Sequence, residues 1–524
     1  MRRRTILAGL ATSLARPGLL SAQQARTLRF VPQADPAILD PIVTTGLVTR
    51  NHGFLIFDTL YGVDEQFRPQ PQMVEGHVVG PDGLSWTMKL REGLRFHDNT
   101  PVLARDVIAS LRRWAARDTF GTSLFSVVDE ISALDDRTVT WRLKRPFPLL
   151  PDCLGKVGSI TAAIMPERLA KSDPAIPLKE MIGSGPFRFV QDEYVSGSRI
   201  VYAKFRDYVS RPEAPSLLAG GKPVNFDRVE WQTIPDPATA AAALQKGEVD
   251  WVEQPLVDLL PALKADRSIT VEVIDPTGAV GVIRFNQLHP PFNNPEIRRI
   301  VLGAVTQADF MRAVVGDDQS LWKDACGFFP PGSPLANGEG MAALTGPRDL
   351  AASAKALRAA GYDGTPVLMM APTDFPSINA MSEVTRELLT KIGMKVDYVA
   401  TDWGSVLRRQ ANRDVPSKGG YNLFCTYSPG ITHYTPAAHN FLRGSGDKAT
   451  FGWSVSPRLE ELREQWLTAP DDAARLSTAR QMQLQAFVDV PYVPLGLFLQ
   501  PTAHRRDLSG LIQGPPLFWN LKRG

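Results

Sequence analysis

The feature that most constrains this chain is a strand–helix–strand unit punctuated at every joint. Val229, Trp231 and Thr233 alternate as a half-buried strand. Asp236-Pro237 then supplies a cap with proline at the first helical position, a helix over 238–245 is stopped by Gly247, and 249–252 forms the next strand. A strand, a crossover helix and a returning strand imply a parallel pair, so the sheet is parallel or mixed. The punctuation recurs in a strand over 280–285, a helix from Asn294-Pro295, a helix ending at Gly361 and a strand over 367–370. A helix over 377–392, stopped by Gly393, and a strand over 395–399 follow. Alternation of this kind makes the class α/β.

Before that run, Leu84, Trp86, Met88 and Leu90 alternate strictly, and Val139, Trp141 and Leu143 repeat the pattern until Pro146 and Pro148 end it. Between them, Thr100-Pro101 is expected to open a helix with Val107, Ile108, Leu111 and Trp114 on one face. Leu28, Phe30 and Val31 suggest a short strand over 27–31. Near the end, Ser456-Pro457 opens a helix with Leu459, Leu462 and Trp466 inward, a second helix covers 471–489, and 492–498 reads as a strand. At about 150 residues per domain, 524 residues make two to four domains.

The first residues set the compartment. Met1 is followed by Arg2, Arg3 and Arg4, an apolar run over 5–15 and the small-residue ending Leu19-Leu20-Ser21-Ala22, so residues 1–22 are expected to be a signal peptide. Arg3-Arg4-Thr5 fits a twin-arginine signal as well as the general secretory route. Removing 1–22 takes away four arginines and no acid, leaving 54 basic against 55 acidic residues and a net charge of −1. No nucleic-acid partner is implied. No later stretch reaches 18 apolar residues, and no lipid-attachment cysteine follows the signal, so an exported, periplasmic, unanchored protein is expected. Cys153, Cys326 and Cys425 are odd in number and far apart, which favours small buried residues over a disulfide framework.

The sequence holds no GxSxG, no HExxH and no phosphate loop, since Gly221-Lys222 runs into Pro223. Cys425, His433, Tyr434 and His439 match no zinc spacing. No cofactor, no metal site and no catalytic residue is therefore expected; a secreted hydrolase is a remote alternative for which no nucleophile can be named.

Long segments instead resemble a known family. Asp82-Gly83-Leu84-Ser85-Trp86, Gly93-Leu94-Arg95-Phe96-His97-Asp98 with Asp106-Val107, Ile182-Gly183-Ser184-Gly185-Pro186-Phe187, and Ala243-Leu244-Gln245-Lys246-Gly247 carry the likeness. So do Phe285-Asn286 with Pro290-Pro291-Phe292, Ile392-Gly393-Met394-Lys395-Val396, and Val490-Pro491-Tyr492-Val493-Pro494. Together they are similar to extracellular solute-binding protein family 5, the peptide and nickel class of periplasmic receptors of ABC importers.

The resemblance implies a two-lobed periplasmic-binding-protein fold of the large peptide-binding type with an extra inserted subdomain. The first lobe would take 23–65, 182–276 and 489–524, the insert 66–181, and the second lobe 277–488, with hinge crossings near Asp275-Pro276 and Val490-Pro491. It also implies capture of a peptide or other small organic solute between the lobes, delivery to an inner-membrane ABC permease, and a monomer. A receptor for a metal chelate or haem is the alternative on the same scaffold.

Peptide-binding members carry an acid for the peptide's ammonium group shortly after the position of Tyr427, and here the stretch 425–434 has none. Asp35 or Asp402 would have to replace it. The remaining candidates for ligand contact are His52, Asn286, Trp403, Tyr427, Ser428, Pro429, His433, Tyr434 and Trp453, aromatic or hydrogen-bonding groups suited to a ligand with flat or neutral portions.

Overall fold

The computed structural model describes residues 26–524; the expected signal peptide lies outside them. Two mixed sheets organise the chain. In the first, seven strands run in the order Ile269–Glu272, Thr502–Arg505, Trp251–Val252, Thr27–Val31, Arg228–Gln232, Arg199–Lys204 and Phe187–Phe189. Thr27–Val31 is parallel to both its neighbours, as the crossover demanded, and the other pairs are antiparallel. The crossover helix is Pro237–Lys246, capped by the Asp236 carboxylate on the Thr239 N–H and closed by Gly247 at φ 73°.

The second sheet has six strands in the order Trp322–Lys323, Val493–Phe498, Ala279–Phe285, Leu423–Pro429, Val367–Pro372 and Val396–Thr401. Ala279–Phe285 is buried at every residue, as a central strand covered on both faces must be. Val367–Pro372 runs parallel to both its neighbours.

The chain passes from the first sheet to the second over 273–278 and back over 499–501. The expected end of the second lobe at 488 is thus corrected: Val493–Phe498 pairs along Ala279–Phe285, so the return crossing follows Phe498 and does not lie at Val490-Pro491. Alternation announced the strand but carried no information about which sheet would take it.

The insert holds a four-stranded antiparallel sheet, Val74–Val79, Ser85–Leu90, Thr138–Leu143 and Val128–Ala133, with Trp86, Met88 and Leu90 turned inward. Its helix spans Ala104–Ala115, starting later than Thr100-Pro101 suggested. Thr100 is held in a turn by Asp98, and Pro101 pairs with Arg95, while the Asp106 carboxylate accepts the Leu103 N–H and caps the helix three residues on. The signature at Gly183 has a steric reason: a Cβ there would lie 2.2 Å from the Ile56 carbonyl oxygen.

One ion pair fastens the insert to the first lobe. Arg113 Nη2 lies 2.8 Å from Asp40 Oδ2, both side chains being fully buried, and the Leu178 N–H donates to the same oxygen at 3.0 Å. Removing one partner strands a buried charge, so Asp40→Ala is expected to lower stability by about 3–5 kcal/mol in urea denaturation. A loss under 1 kcal/mol would contradict this role.

Candidate functional site

The C-terminal ends of parallel strands are where an α/β sheet leaves room for a ligand. Thr27–Val31 leads there into Gln33, and Trp251–Val252 into Glu253 and Gln254. From the second lobe, Leu423–Pro429 brings Tyr427 and Ser428, and Val493–Phe498 leads into Gln500. These residues meet. The Tyr427 hydroxyl donates to Gln33 Oε1 at 3.0 Å, crossing from one lobe to the other. Gln254 Nε2 donates to Gln33 Oε1 at 2.5 Å and to Gln500 Oε1 at 2.9 Å. The Tyr427 ring is held edge-on to Phe375 and Phe498, with centroids 5.9 and 5.5 Å away. Burial pushes its phenol up to about 12, so it acts as a neutral donor.

Beneath this network lies a charged floor. Glu253 Oε2 accepts the Gln33 N–H at 2.7 Å and Oε1 accepts Asn51 Nδ2 at 3.1 Å. Desolvation pushes its carboxyl up to about 7. Asp275, on the first crossing, is also raised by burial, although the Thr277 hydroxyl and N–H both donate to it. Arg50, from the helix Leu47–Ile56, lines with Glu65, Phe67, Asp275, Thr277 and Ile431 a cavity of about 30 Å³ at the first crossing, where Ile431 of the second lobe meets the first, room for one or two waters.

The sequence candidates divide. Tyr427 and Ser428 are half-buried at the cleft, and Asp35 is half-buried at the end of the first strand, where Thr233 Oγ1 lies 3.5 Å from its carboxylate and burial raises it. Pro429 ends its strand opposite Ala279, and Tyr434 meets Phe67 edge-on at 5.2 Å. His433 sits behind Ser428, bonded to its hydroxyl through Nε2, with its ring tilted 55° to that of His439 at a centroid distance of 4.1 Å; burial lowers it to about 3 and keeps it neutral. Trp403 stands one ring further back, edge-on to Phe375 at 5.9 Å.

Three candidates are corrected. His52 is fully buried in the aromatic core of the first lobe, its Nδ1 bonded to the Tyr202 hydroxyl at 2.8 Å. Asn286 lies past the opposite end of Ala279–Phe285, where its side chain ties the Tyr421 carbonyl to the Leu288 N–H. Trp453 is 4 % exposed and packs with Tyr421 at that same far end. Asp402 is likewise no replacement acid, since it is exposed and caps the helix Trp403–Arg409 through the Ser405 N–H. Gln33, Arg50, Asn51, Glu253, Gln254 and Gln500 were missed. For Gln33, Glu253 and Gln254 a signal existed, because each follows the C-terminal end of a strand in the parallel set.

Comparison with known proteins adds the following. Residues 68–450 match the model described as bacterial extracellular solute-binding proteins, family 5 middle. The chain is 35 % identical to a probable peptide ABC transporter periplasmic-binding protein of Sinorhizobium fredii, over 100 % of this chain and 99 % of that one. Among solved structures it resembles the periplasmic binding protein AgaA of A. tumefaciens R10 in complex with agropinic acid, with a TM-score of 0.81, 23 % identity, and coverage of 95 % and 99 %. It also resembles NikA of Staphylococcus aureus in complex with Ni(L-His)2, at 0.76, 15 %, 94 % and 97 %. These structural likenesses bear out the two-lobed fold. No helix among the described residues is long and apolar enough to cross a membrane.

The raised carboxyl of Glu253 has a pH signature. The unfolded chain loses this proton near 4.5 and the folded chain near 7, so between those values the native state binds the extra proton and stability falls as pH rises. Glu253→Gln is expected to shrink that fall by about 3 kcal/mol between pH 5 and 8; Asp35 and Asp275, shifted in the same direction, supply a residual slope. Parallel stability–pH curves for the two proteins would show that Glu253 titrates normally.

Proposed function

Because the chain belongs to family 5 of the bacterial extracellular solute-binding proteins, we propose that it captures a peptide or other small organic solute between its lobes. On this reading it works in the periplasm as a monomer, hands its solute to an inner-membrane ABC permease and performs no covalent chemistry. The hydrogen bond from Tyr427 to Gln33 carries this reading. It joins the lobes through groups that are hydrogen-bonding, neutral and placed at strand ends, so a solute entering there exchanges it for contacts to both lobes. Only such two-sided contact shifts an open–closed equilibrium, since a ligand bound to one lobe stabilises both states equally.

The peptide relative in Sinorhizobium fredii supports a peptide, and the likeness to the agropinic acid complex supports a wider range of organic solutes. The fold shared with the nickel–histidine complex favours a metal chelate as a second reading. In this chain His433 and His439 already bond Ser428, Tyr492 and the Phe328 carbonyl, so a metal would arrive with its own ligands. Metal content of the natively purified protein decides between the two.

Tyr427→Phe removes the interlobe hydroxyl while keeping the ring between Phe375 and Phe498. The solute that co-purifies with the wild type is expected to bind this variant about tenfold more weakly in calorimetry. Equal affinities would place the binding site elsewhere.

A further inference from the structure

Arg50 differs from the other deeply buried arginines of this chain. Arg113 pairs with Asp40. Arg284 donates to the carbonyls of Pro491 and Phe451, and Arg298 to those of Phe292, Asp489 and Val490. Arg463 reaches the carbonyls of Pro436 and Leu442 and lies 3.4 Å from Glu460. Each of these guanidiniums donates to acceptors from more than one element, although the Nε of Arg113, Arg284 and Arg463 has no hydrogen-bond partner of its own.

Arg50 is 6 % exposed, yet its Nε and Nη2 share one neutral acceptor, Asn51 Oδ1, at 3.1 and 2.9 Å. Its charge otherwise rests on the face of Phe54, 5.7 Å from the ring centroid. Among the described residues no carboxylate comes within 4.0 Å of it, and Nη1 has no protein acceptor. The two acids nearest in field are engaged elsewhere: both Glu253 oxygens accept from Gln33 and Asn51, and Asp275 accepts twice from Thr277. A guanidinium taken out of water with one neutral partner is costly to hold. Arg50 lines the cavity at the first crossing, together with the acids Asp275 and Glu65.

We propose that Arg50 receives an anionic group of the carboxylate class on the solute that the cleft binds; this rests on the receptor reading above. The planar Nη1–Nη2 end matches the two oxygens of a carboxylate. A phosphate monoester, with close to two negative charges, is repelled about twice as strongly as a carboxylate by Asp275 and Glu65 on the same wall and is disfavoured. Parting of the lobes at 273–278 widens the cavity from its present size to admit the group. Asn51 holds the guanidinium in place from behind and acts as a positioning residue.

The test uses the full chain purified natively from the periplasm of the cells that make it. Denaturation releases the co-purified solute for mass spectrometry, and a portion of it is converted to its methyl ester. Stripped wild-type protein and Arg50→Gln, its fold checked by circular dichroism, are then titrated with the recovered solute and with the ester. A carboxylated solute is expected, with the ester at least about a hundredfold weaker on the wild type. Arg50→Gln is expected to lose affinity for the acid by a similar factor and to bind acid and ester nearly alike. A solute without a carboxyl group, a phosphate ester, or equal wild-type affinity for acid and ester would overturn the assignment. If Arg50→Gln fails to fold, the acid–ester comparison on the wild type alone still decides. Absence of any bound solute would reject the receptor reading itself, an outcome distinct from a neutral solute, which rejects only the role of Arg50.

Discussion

Two backbone crossings, 273–278 and 499–501, are the constraint on which the rest of this structure depends. Each leaves one sheet and enters the other within a few residues, between Ile269–Glu272 and Ala279–Phe285 and between Val493–Phe498 and Thr502–Arg505. The lobes are therefore built on separate sheets yet tied at one edge. What lies between them has to be polar enough to stand water when they part and complementary enough to meet when they close. The cleft residues answer both demands: Gln33, Gln254, Gln500 and Tyr427 exchange hydrogen bonds readily with water or with a solute at little net cost.

The electrostatics of the cleft follow from the same setting. Glu253, Asp275 and Asp35 are raised by loss of water, and Arg50 is lowered for the same cause. Groups whose charged forms have lost solvation are expected where binding energy is to be gained, because a ligand that supplies the missing counter-charge or hydrogen bond restores what desolvation took. The buried pair Asp40–Arg113 is the contrasting case, each charge meeting its counter-charge within the fold.

Much of the scaffold was legible in the sequence because it is written in local chemistry. Asp236-Pro237 and Gly247 bracket their helix as backbone geometry requires, and the alternation at Trp86, Met88 and Leu90 states which side faces the core. The boundary at 488 failed because the pairing of Val493–Phe498 is a long-range event with no local marker. Thr100-Pro101 failed because Asp98 competed for the same cap chemistry. Tyr427 and Ser428 were singled out through the family likeness of the stretch 425–434, whereas His52, Asn286 and Trp453 show that the residue types suited to ligands also serve cores. Arg50 left no signal, since its meaning lies in an acceptor that is missing around it in three dimensions.

The inserted subdomain also meets the second lobe, through Thr119 on Asn440 at 2.6 Å and Arg145 on Glu464 at 2.5 Å. Were the two sheets to turn as plates about the crossings, these side-chain contacts would part while the crossings only flexed. On the receptor reading, a solute that takes the place of the Tyr427–Gln33 bond decides whether those contacts hold, and with them the outline that the molecule offers to a permease.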